Sequence, residues 1–329
     1  MATVHVPILL DPIVSSLIEA LALPQFLQEP CWIVDCTLGG GGHTSEILKQ
    51  LQLSAEYSHH RVLAVDQDAA AIARAKLRFE REILEGRLEL FHGRMSEVLS
   101  ILKGRKVAGI LADLGFSSDQ IEDANRGLSF TREGPLDMRL DPDRGRSCLE
   151  YLEEVEEREL ARVLYEFGEE RLSRKIARLI IEARDKGELP TTTLGLAELI
   201  ARAYPREQRF GRIHPATRSF QALRIELNDE LKELDCFLSE IIFSLENGGR
   251  VAVLSFHSLE DRKVKHAFRD SHGMFLSLTK KPVEADEAEL QRNPRSRSAK
   301  LRIAERIAQE PIQETELKSA RKKRPEYYK

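Results

Sequence analysis

Four consecutive glycines lie between a short apolar stretch and a helix-like pattern near the start of the chain. The segment IVDCTLGGGGHTS leads through Asp35 into the glycines at 39–42 and then into Thr44. Threonine commonly caps a helix N-terminus, so we predict a strand, a tight turn and a helix that begins at Thr44. Glycine tolerates positive φ and lets a ligand lie directly on bare backbone, so this turn is the first candidate binding element.

Two ligand classes use such a turn, namely dinucleotides and S-adenosylmethionine. A GxGxxG frame that starts at Gly39 puts Thr44 where the third glycine or alanine belongs, and a frame from Gly40 puts Ser45 there. Neither frame is a good dinucleotide fingerprint, which favours S-adenosylmethionine. A glycine-rich surface turn without a ligand is the third interpretation.

Composition limits the class of protein. The chain has 329 residues, 42% of them hydrophobic and 32% charged. Because a single core stops growing at about 250–300 residues, we expect either two domains or one domain with a large insertion. No apolar run reaches the roughly 18 residues of a membrane span, and no basic segment precedes the first apolar stretch. The four cysteines lack CxxC spacing, so we predict a cytoplasmic protein with no metal site and no membrane partner.

Three further strand patterns follow the glycine loop. One ends at Asp66, one spans residues 87–91 with Met95 in the turn after it, and one ends at Asp113. Strands alternating with helices predict an α/β fold with a doubly wound, mostly parallel, Rossmann-like sheet. The glycine loop, Asp66, Met95 and Asp113 should then converge at the carboxyl edge of the sheet. The alternatives are a helix N-cap at Asp66, a role that Asp68 could fill instead, and a helix-core position for Met95.

The pattern changes at about residue 130. Residues 130–214 show helical periodicity without strand signals, so we predict an inserted all-helical subdomain there. The sheet domain would comprise residues 1–129 and 215–308, with a basic tail at 309–329. Within its second part we predict one long helix over 219–245, capped by Asn247-Gly248-Gly249, and a strand over 250–256. Two weaker strands are predicted at 275–279 and 300–307.

Several long strings resemble the bacterial small-subunit ribosomal RNA cytosine-N4 methyltransferase family, a branch of the class I S-adenosylmethionine-dependent methyltransferases. The similarity runs from His5 to about Arg306. The strings are HVPILLDPIV, VDCTLGGGGHTSEIL, ADLGFSSDQIEDANRGLSFTREGPLDMRLDP, YEFGEERLSRKIARLI, HPATRSFQALRIELNDEL, LSFHSLEDRKVKHAF and NPRSRSAKLRIAER.

The resemblance implies S-adenosylmethionine as the cofactor and the exocyclic N4 of a cytidine in the decoding centre of 16S rRNA as the methyl acceptor. It implies partners as well, namely 16S rRNA within the 30S subunit and a second copy of the chain in a homodimer. Met95 stands where some relatives carry phenylalanine, which would weaken stacking on adenine but keep apolar packing. The cofactor-binding residues that it implies are Gly41, Gly42, His43, Asp66, Met95, Asp113 and Gln120.

Methyl transfer from a sulfonium is an in-line displacement that needs correct placement of the reactants rather than a metal or a covalent intermediate. The cytosine N4 lone pair is delocalised, so an acceptor aimed at the N4 hydrogens would favour attack. Asp113 fits this catalytic role or a grip on the amino-acid end of the cofactor, and both interpretations are open. Many amino-group methyltransferases carry an Asp/Asn/Ser-Pro-Pro-aromatic string here, whereas this chain has Asp-Leu-Gly-Phe. Phe116 is accordingly either a base-stacking residue or part of the core.

Methylation at carbon 5 is the nearest competing reaction, and it requires a cysteine nucleophile. Cys31 precedes the first strand, at the wrong end of the sheet, and we expect no cysteine near Asp113. This route is therefore rejected.

Candidate RNA contacts come from basic and aromatic positions. His257 follows a predicted strand and either binds RNA or caps the next helix, while Arg295 and Arg297 suit phosphate contacts or form a solvated loop. The inserted subdomain carries a cluster at Arg202, Arg206, Arg209 and Arg212, which predicts a role in RNA docking.

Two other functional classes are open at this point. A nicotinamide-dependent oxidoreductase would use the same glycine loop, although the third glycine is missing. A ribosome-assembly factor without catalytic activity would keep the fold and the cofactor residues but not the reaction.

Overall fold

Seven strands form one mixed sheet at the centre of the molecule. The computed structural model describes residues 7–209, 211 and 214–307. The sheet order is β3-β2-β1-β4-β5-β7-β6. The strands are β1 (Trp32–Asp35), β2 (Arg61–Asp66), β3 (Leu88–His92), β4 (Val107–Asp113), β5 (Leu245–Ser255), β6 (Phe275–Ser277) and β7 (Lys300–Arg306).

Strands β1 to β5 pair in parallel, whereas β7 is antiparallel to both β5 and β6. The chain first winds outward from β1 to β3 and then crosses back to β4, so the strand order reverses between β1 and β4. Ligand crevices of doubly wound sheets form at such a reversal, outside the carboxyl ends of the strands. The predicted doubly wound, mostly parallel sheet is confirmed.

Helices surround the sheet and make up the regular structure between β4 and β5. Three 3₁₀ helices lie at Ala124–Arg126, Arg206–Gln208 and Pro294–Ser298. In chain order the described α-helices are α1 (Leu10–Ala20), α2 (Pro24–Leu27), α3 (Gly42–Leu53), α4 (Ala69–Arg78), α5 (Glu80–Leu84), α6 (Val98–Ile101), α7 (Ser118–Glu122), α8 (Cys148–Glu154), α9 (Glu157–Gly168), α10 (Ser173–Asp185), α11 (Thr193–Ala201), α12 (Thr217–Leu227), α13 (Glu230–Ser244), α14 (Ser258–Arg269) and α15 (Glu287–Arg292).

Both faces of the sheet are covered, which explains why its central strands are apolar runs. Alternate residues point to opposite faces, so Ile33 packs under α1, α3 and α4 while its neighbour Val34 packs against α6, α13 and α14. Burial on both faces leaves the strand ends as the accessible part of the sheet.

Helices α8 to α11 form a third apolar cluster, and they arise from residues 148–201. Phe220 and Leu223 of α12 also belong to this cluster. The helical character predicted for this region is therefore seen, although the domain boundaries at 130 and 214 stay a prediction.

Two details of the sequence analysis were wrong. The single helix expected over residues 219–245 is broken between α12 and α13, where Asp229 adopts a left-handed conformation with φ 52° that a helix cannot continue through. Asn247-Gly248-Gly249 does not cap a helix but lies within β5, which starts at Leu245. In the part of the chain that the structure covers, no helix combines the length and apolarity needed to cross a membrane.

Candidate active site

A pocket of about 380 Å³ opens at the carboxyl ends of the parallel strands. This volume falls within the range of small-molecule sites, roughly 300–1,000 Å³. The pocket is the meeting point predicted for the glycine loop, Asp66, Met95 and Asp113. The predicted site residues that line it are Gly42, His43, Asp66, Met95, Asp113, Phe116, Gln120 and Arg295. Gly41, His257 and Arg297 are outside this lining.

The glycine loop needs its glycines for shape. Gly39 and Gly41 have φ of 52° and 73°, and Gly41 is the N-cap of α3. A Cβ atom on Gly41 would lie 2.8 Å from Cε2 of Phe79, and a Cβ atom on Gly42 would collide with the ring of Pro7. Gly41 therefore acts through backbone conformation, while the backbone of Gly39 and Gly42 forms a wall of the pocket.

The sequence analysis predicted that the helix begins at Thr44, and this was wrong because α3 begins at Gly42. Thr44 lies inside α3, where its hydroxyl donates to Oδ2 of Asp35 at 2.7 Å. Asp35 also accepts the backbone N–H of Thr37 at 3.1 Å, and it is almost completely buried. Burial raises the pKa of Asp35 to about 6. The sequence analysis gave Asp35 no role, although its position just before the glycine loop was a signal that could have found it.

Asp66, at the tip of β2, holds the loop in place. Its Oδ2 accepts the N–H of Gly39 at 2.7 Å, and its Oδ1 accepts the N–H of Asp68 at 2.8 Å. Each oxygen keeps a lone pair for another donor, which suits the hydroxyls of a ribose. Burial raises the pKa of Asp66 above its usual value. Asp68, rather than Asp66, caps α4 by accepting from Ala70.

Gln120 supports the pocket from α7. Its Nε2 donates to Asp68 Oδ2 at 3.1 Å, and its Oε1 accepts the backbone N–H of Ser117 at 2.9 Å. The side chain is buried, so these bonds fix the wall that it forms. Met95 contributes an apolar surface and also packs against the core on one face of the sheet. Both sequence interpretations of Met95 thus describe part of what it does.

Asp113 ends β4 at the floor of the pocket. Its backbone N–H donates to the hydroxyl of Thr37 at 2.6 Å, and its side chain is 24% exposed. The carboxyl oxygen Oδ2 lies 3.7 Å from Nδ1 of His43. Burial, together with the charges of Asp35 and Glu260, raises the pKa of Asp113 to about 8. An acid with this pKa exchanges protons close to neutral pH.

A charged group lies beside Phe116. The guanidinium of Arg224 is 4.4 Å from the centre of the Phe116 ring, and it donates to both carboxylate oxygens of Glu230 at 2.6 and 2.9 Å. These residues come from α12, α13 and the segment after β4. Phe116 is therefore half-buried under a cation that also lines the pocket.

His257 is the N-cap of α14, which is the structural role that the sequence analysis had offered as the alternative to RNA binding. Its Nδ1 accepts the N–H of Glu260 at 3.4 Å, and Glu260 Oε2 accepts the N–H of Phe256 at 2.9 Å. Ligand atoms of Glu230, His257 and Glu260 all lie within 4.8 Å of one another, a spacing that could hold a metal ion. Arg224 already neutralises Glu230, and the expectation of no metal stays a prediction.

The two arginines before β7 differ in placement. Arg295 lines the pocket, and its Nη2 atom lies 3.3 Å from Oε1 of Glu122. Arg297 is exposed and is not among the lining residues. Arg295 is thus the one that can meet a ligand in the pocket, and Arg297 faces solvent.

Cysteine chemistry is unfavourable at this site. Cys31 is buried before β1, and burial raises its pKa to about 11. The expectation that no cysteine lies near Asp113 was wrong in space, because Cys36 lines the pocket and donates its backbone N–H to Leu111 of β4. Burial, and then the charge of Asp35, raises the pKa of Cys36 well above its ordinary value, so its nucleophilic thiolate is suppressed.

Sequence reasoning missed wall residues that come from distant segments. Pro7 and Ile8 enter from the N-terminal side, Leu140 from the segment before α8 and Asn228 from the turn after α12. Asn228 Oδ1 accepts the N–H of Leu140 at 2.7 Å, which fixes that segment against the pocket. The string HVPILLDPIV was visible in the sequence, but nothing in it indicated contact with the glycine loop.

Comparison with known proteins finds relatives that match most of the chain. Residues 2–307 match the family model described as the MraW methylase family. Three curated relatives share the name Ribosomal RNA small subunit methyltransferase H. The protein of Synechococcus elongatus is 46% identical over 279 residues, which is 85% of this chain and 89% of that protein. The protein of Sorangium cellulosum is 47% identical over 292 residues, covering 88% and 89%. That of Acidithiobacillus ferrooxidans is 43% identical over 317 residues, covering 92% and 95%.

The family resemblance seen in the motifs is thereby confirmed, and the match spans both the sheet and the inserted helices. Membership of a methylase family excludes the alternative that the chain is a nicotinamide-dependent oxidoreductase. The chain belongs to the MraW methylase family, and its methyl donor is S-adenosylmethionine.

Proposed function

We propose that the chain transfers the methyl group of S-adenosylmethionine to the exocyclic N4 of a specific cytidine in the decoding centre of 16S rRNA. One observation carries the proposal. Asp113, at the end of β4, shares a single pocket with Gly42 and Asp66. A cofactor held by the last two would therefore present its reactive end to the first. The names of the relatives support small-subunit RNA as the substrate.

The donor set fits the cofactor. Asp66 offers two carboxylate oxygens to the ribose hydroxyls, Met95 offers an apolar surface to the adenine, and the backbone of Gly39 and Gly42 leaves room beside them. A Cβ atom at Gly42 has no space, so the loop keeps its bare backbone towards the pocket. When bound, the cofactor supplies a methyl group activated by a sulfonium.

Asp113 would accept a hydrogen bond from the N4 amino group and take up the proton that this nitrogen loses. A general base works best when its pKa is close to the working pH, and the pKa of Asp113 is about 8. The hydrogen bond from the Asp113 backbone N–H to Thr37 fixes the position of the residue. This proposal assigns Asp113 to catalysis rather than to the amino-acid end of the cofactor.

The RNA would reach the pocket across a basic surface. In the proposed subdomain 130–214, Arg202 and Arg206 are exposed, whereas Arg209 donates to the carbonyl of Tyr204 at 3.0 Å. Arg212 and the basic tail 309–329 lie outside the described residues. Arg295 would contact a phosphate at the mouth of the pocket, and Arg297 would do so on the neighbouring surface. The same proposal includes action on the 30S subunit in the cytoplasm and a homodimer, which sedimentation analysis would test.

The direct test incubates the protein with labelled S-adenosylmethionine and undermethylated 30S subunits, and in parallel with free 16S rRNA. Digestion to nucleosides and mass spectrometry would then separate N4-methylcytidine from 5-methylcytidine. We expect label in N4-methylcytidine at one position. Absence of transfer to either substrate would support the non-catalytic assembly factor, and label in 5-methylcytidine would replace the proposed reaction.

A further inference from the structure

Arg224 lines the pocket, and the cofactor assignment leaves it without a role. Its side chain is only 13% exposed, although it lines the cavity. The Cζ atom of the guanidinium lies over the ring of Phe116, and the Nε and Nη2 atoms donate to Glu230. A guanidinium held on a ring face and by two parallel hydrogen bonds has its plane fixed before any ligand arrives.

The fixed guanidinium retains a donor group. Arginine has five N–H donors, and the pair on Nη1 is not used by Glu230. Among the described residues, no acceptor lies within hydrogen-bonding geometry of Nη1, and this atom is not among the buried polar atoms that lack a partner. Nη1 is therefore accessible and can donate to a molecule in the pocket.

The charges around Arg224 match one edge of cytosine. This edge presents an amino donor at N4 next to acceptors at N3 and O2, so it requires acceptors beside donors in its site. Asp113, Glu260 and Arg224 all line the same pocket. The pocket therefore offers carboxyl groups for N4 and a guanidinium for N3.

We propose that Arg224 is the specificity-determining residue that reads the target base, donating from Nη1 to N3 of cytosine while Phe116 and Glu230 hold its plane. This inference rests on the proposed cytidine N4 activity and deepens it. Uracil is rejected because its N3 carries a hydrogen that would face the Nη1 donors, and its O4 would face the carboxylates. Phe116 then supports the arginine, and it does not itself stack on the base.

The test removes one acceptor from the base and one donor from the protein. Undermethylated 30S subunits are reconstituted with either cytidine or 3-deazacytidine, which has C–H in place of N3, at the methylated position. Rates of methyl transfer at limiting substrate are measured for the wild-type chain and for Arg224→Gln. The intrinsic effect of the analogue on N4 reactivity is common to both proteins, so it cancels in the ratio of ratios.

We expect the analogue to slow the wild-type chain by about tenfold more than it slows Arg224→Gln, because a hydrogen bond from a charged donor is lost only in the first case. Arg224→Lys should resemble Arg224→Gln, because an ammonium cannot keep the planar contacts with Phe116 and Glu230. Affinity for S-adenosylmethionine should stay within twofold of the wild-type value in both variants.

Loss of a buried ion pair needs its own control. Arg302 makes a bidentate pair with Asp261 at 2.7 and 3.1 Å and is similarly buried, but it does not line the pocket. Arg302→Gln should leave the discrimination between cytidine and its analogue unchanged. If Arg224→Gln does not fold, the double variant Arg224→Gln with Glu230→Gln replaces it, since it leaves no unpaired carboxylate.

The outcomes distinguish a failure of the proposed function from a failure of the role proposed for Arg224. No transfer by the wild-type chain to unmodified cytidine refutes the proposed function itself. Normal wild-type transfer with equal analogue effects in wild type and variants refutes only the role of Arg224. A large loss of cofactor affinity in Arg224→Gln, without a change in discrimination, would assign the arginine to the cofactor and also overturn the inference.

Discussion

Nδ1 of His43 lies 3.7 Å from Oδ2 of Asp113, across the gap between the start of α3 and the end of β4. The other ring nitrogen of His43, Nε2, is 3.1 Å from the carbonyl oxygen of Ile8, an acceptor that requires the proton on Nε2. One imidazole therefore connects the N-terminal segment, the glycine loop and the proposed catalytic carboxyl.

The first prediction concerns the rate of methyl transfer by Asp113→Asn. Asparagine keeps the shape of the side chain but cannot take a proton from N4, so we expect the rate to fall by about 10²–10⁴-fold. In the wild-type chain the ionised form grows as pH rises through about 8, and the single-turnover rate should rise with it. The variant should show no such rise between pH 6.5 and 9. Near-normal activity of Asp113→Asn would remove this residue from the chemical step.

The second prediction concerns the stability of the same variant. The pKa of Asp113 is raised to about 8 in the folded chain, so the folded state holds this proton more tightly than the unfolded chain does. The free energy of unfolding of the wild type should therefore fall as pH rises from about 4 to about 8. Asparagine is neutral at every pH, so the free energy of unfolding of Asp113→Asn should rise relative to that of the wild type over this window, by on the order of a few kcal/mol. Urea titrations of both proteins at pH 5 and pH 8 would measure this difference. An equal difference at both pH values would contradict the prediction.

The third prediction separates backbone strain from crowding in the glycine loop. Gly41 and Gly86 have nearly equal φ, 73° and 69°, but a Cβ atom would meet Phe79 only at Gly41 and nothing within 4 Å at Gly86. Gly86→Ala should lower the free energy of unfolding by about 1 kcal/mol and leave affinity for S-adenosylmethionine unchanged. Gly41→Ala should lower the free energy of unfolding by more, and it should weaken cofactor binding at least tenfold, measured by calorimetry. Equal effects of the two substitutions would show that Phe79 and the pocket play no part.

The fourth prediction tests the proposed RNA-docking role of Arg202 and Arg206. Arg202→Glu with Arg206→Glu should weaken binding to 30S subunits, and the dependence of affinity on salt should become shallower by roughly one unit of slope per lost phosphate contact. The matched control is Lys103→Glu with Lys265→Glu, which makes the same change of charge at exposed positions in the sheet domain. Equal losses in the two double variants would indicate a general charge effect rather than docking by the insertion.

The sheet and the convergence of its strand ends could be predicted from the sequence because both follow from local periodicity. Val34 and Val65 lie in short apolar strands, and the fold rules then place Asp66 and Asp113 at one edge. The break at Asp229 could not be predicted, since the apolar pattern of α12 continues in phase into α13 and only a left-handed backbone angle interrupts it.

The residues of the far walls of the pocket could not be predicted from the sequence for a different reason. Leu140 and Asn228 are 88 positions apart, yet they share a hydrogen bond at the pocket. Cys36 is seventy-seven positions from Asp113, and only the pairing of β1 with β4 shows that both border the same space. Such contacts depend on tertiary packing, which strand and helix patterns do not encode.

The position of β7 between β5 and β6 has a consequence for the order in which the molecule matures. Asn293, Arg295 and Ser298 line the pocket, and β7, which pairs with β5, follows them directly in the chain. Because this segment leaves the ribosome after all the other lining residues, a nascent chain lacks the wall that carries Arg295, the proposed phosphate contact, until synthesis of β7 is complete. The RNA-facing side of the pocket would then form only after all seven strands have been translated.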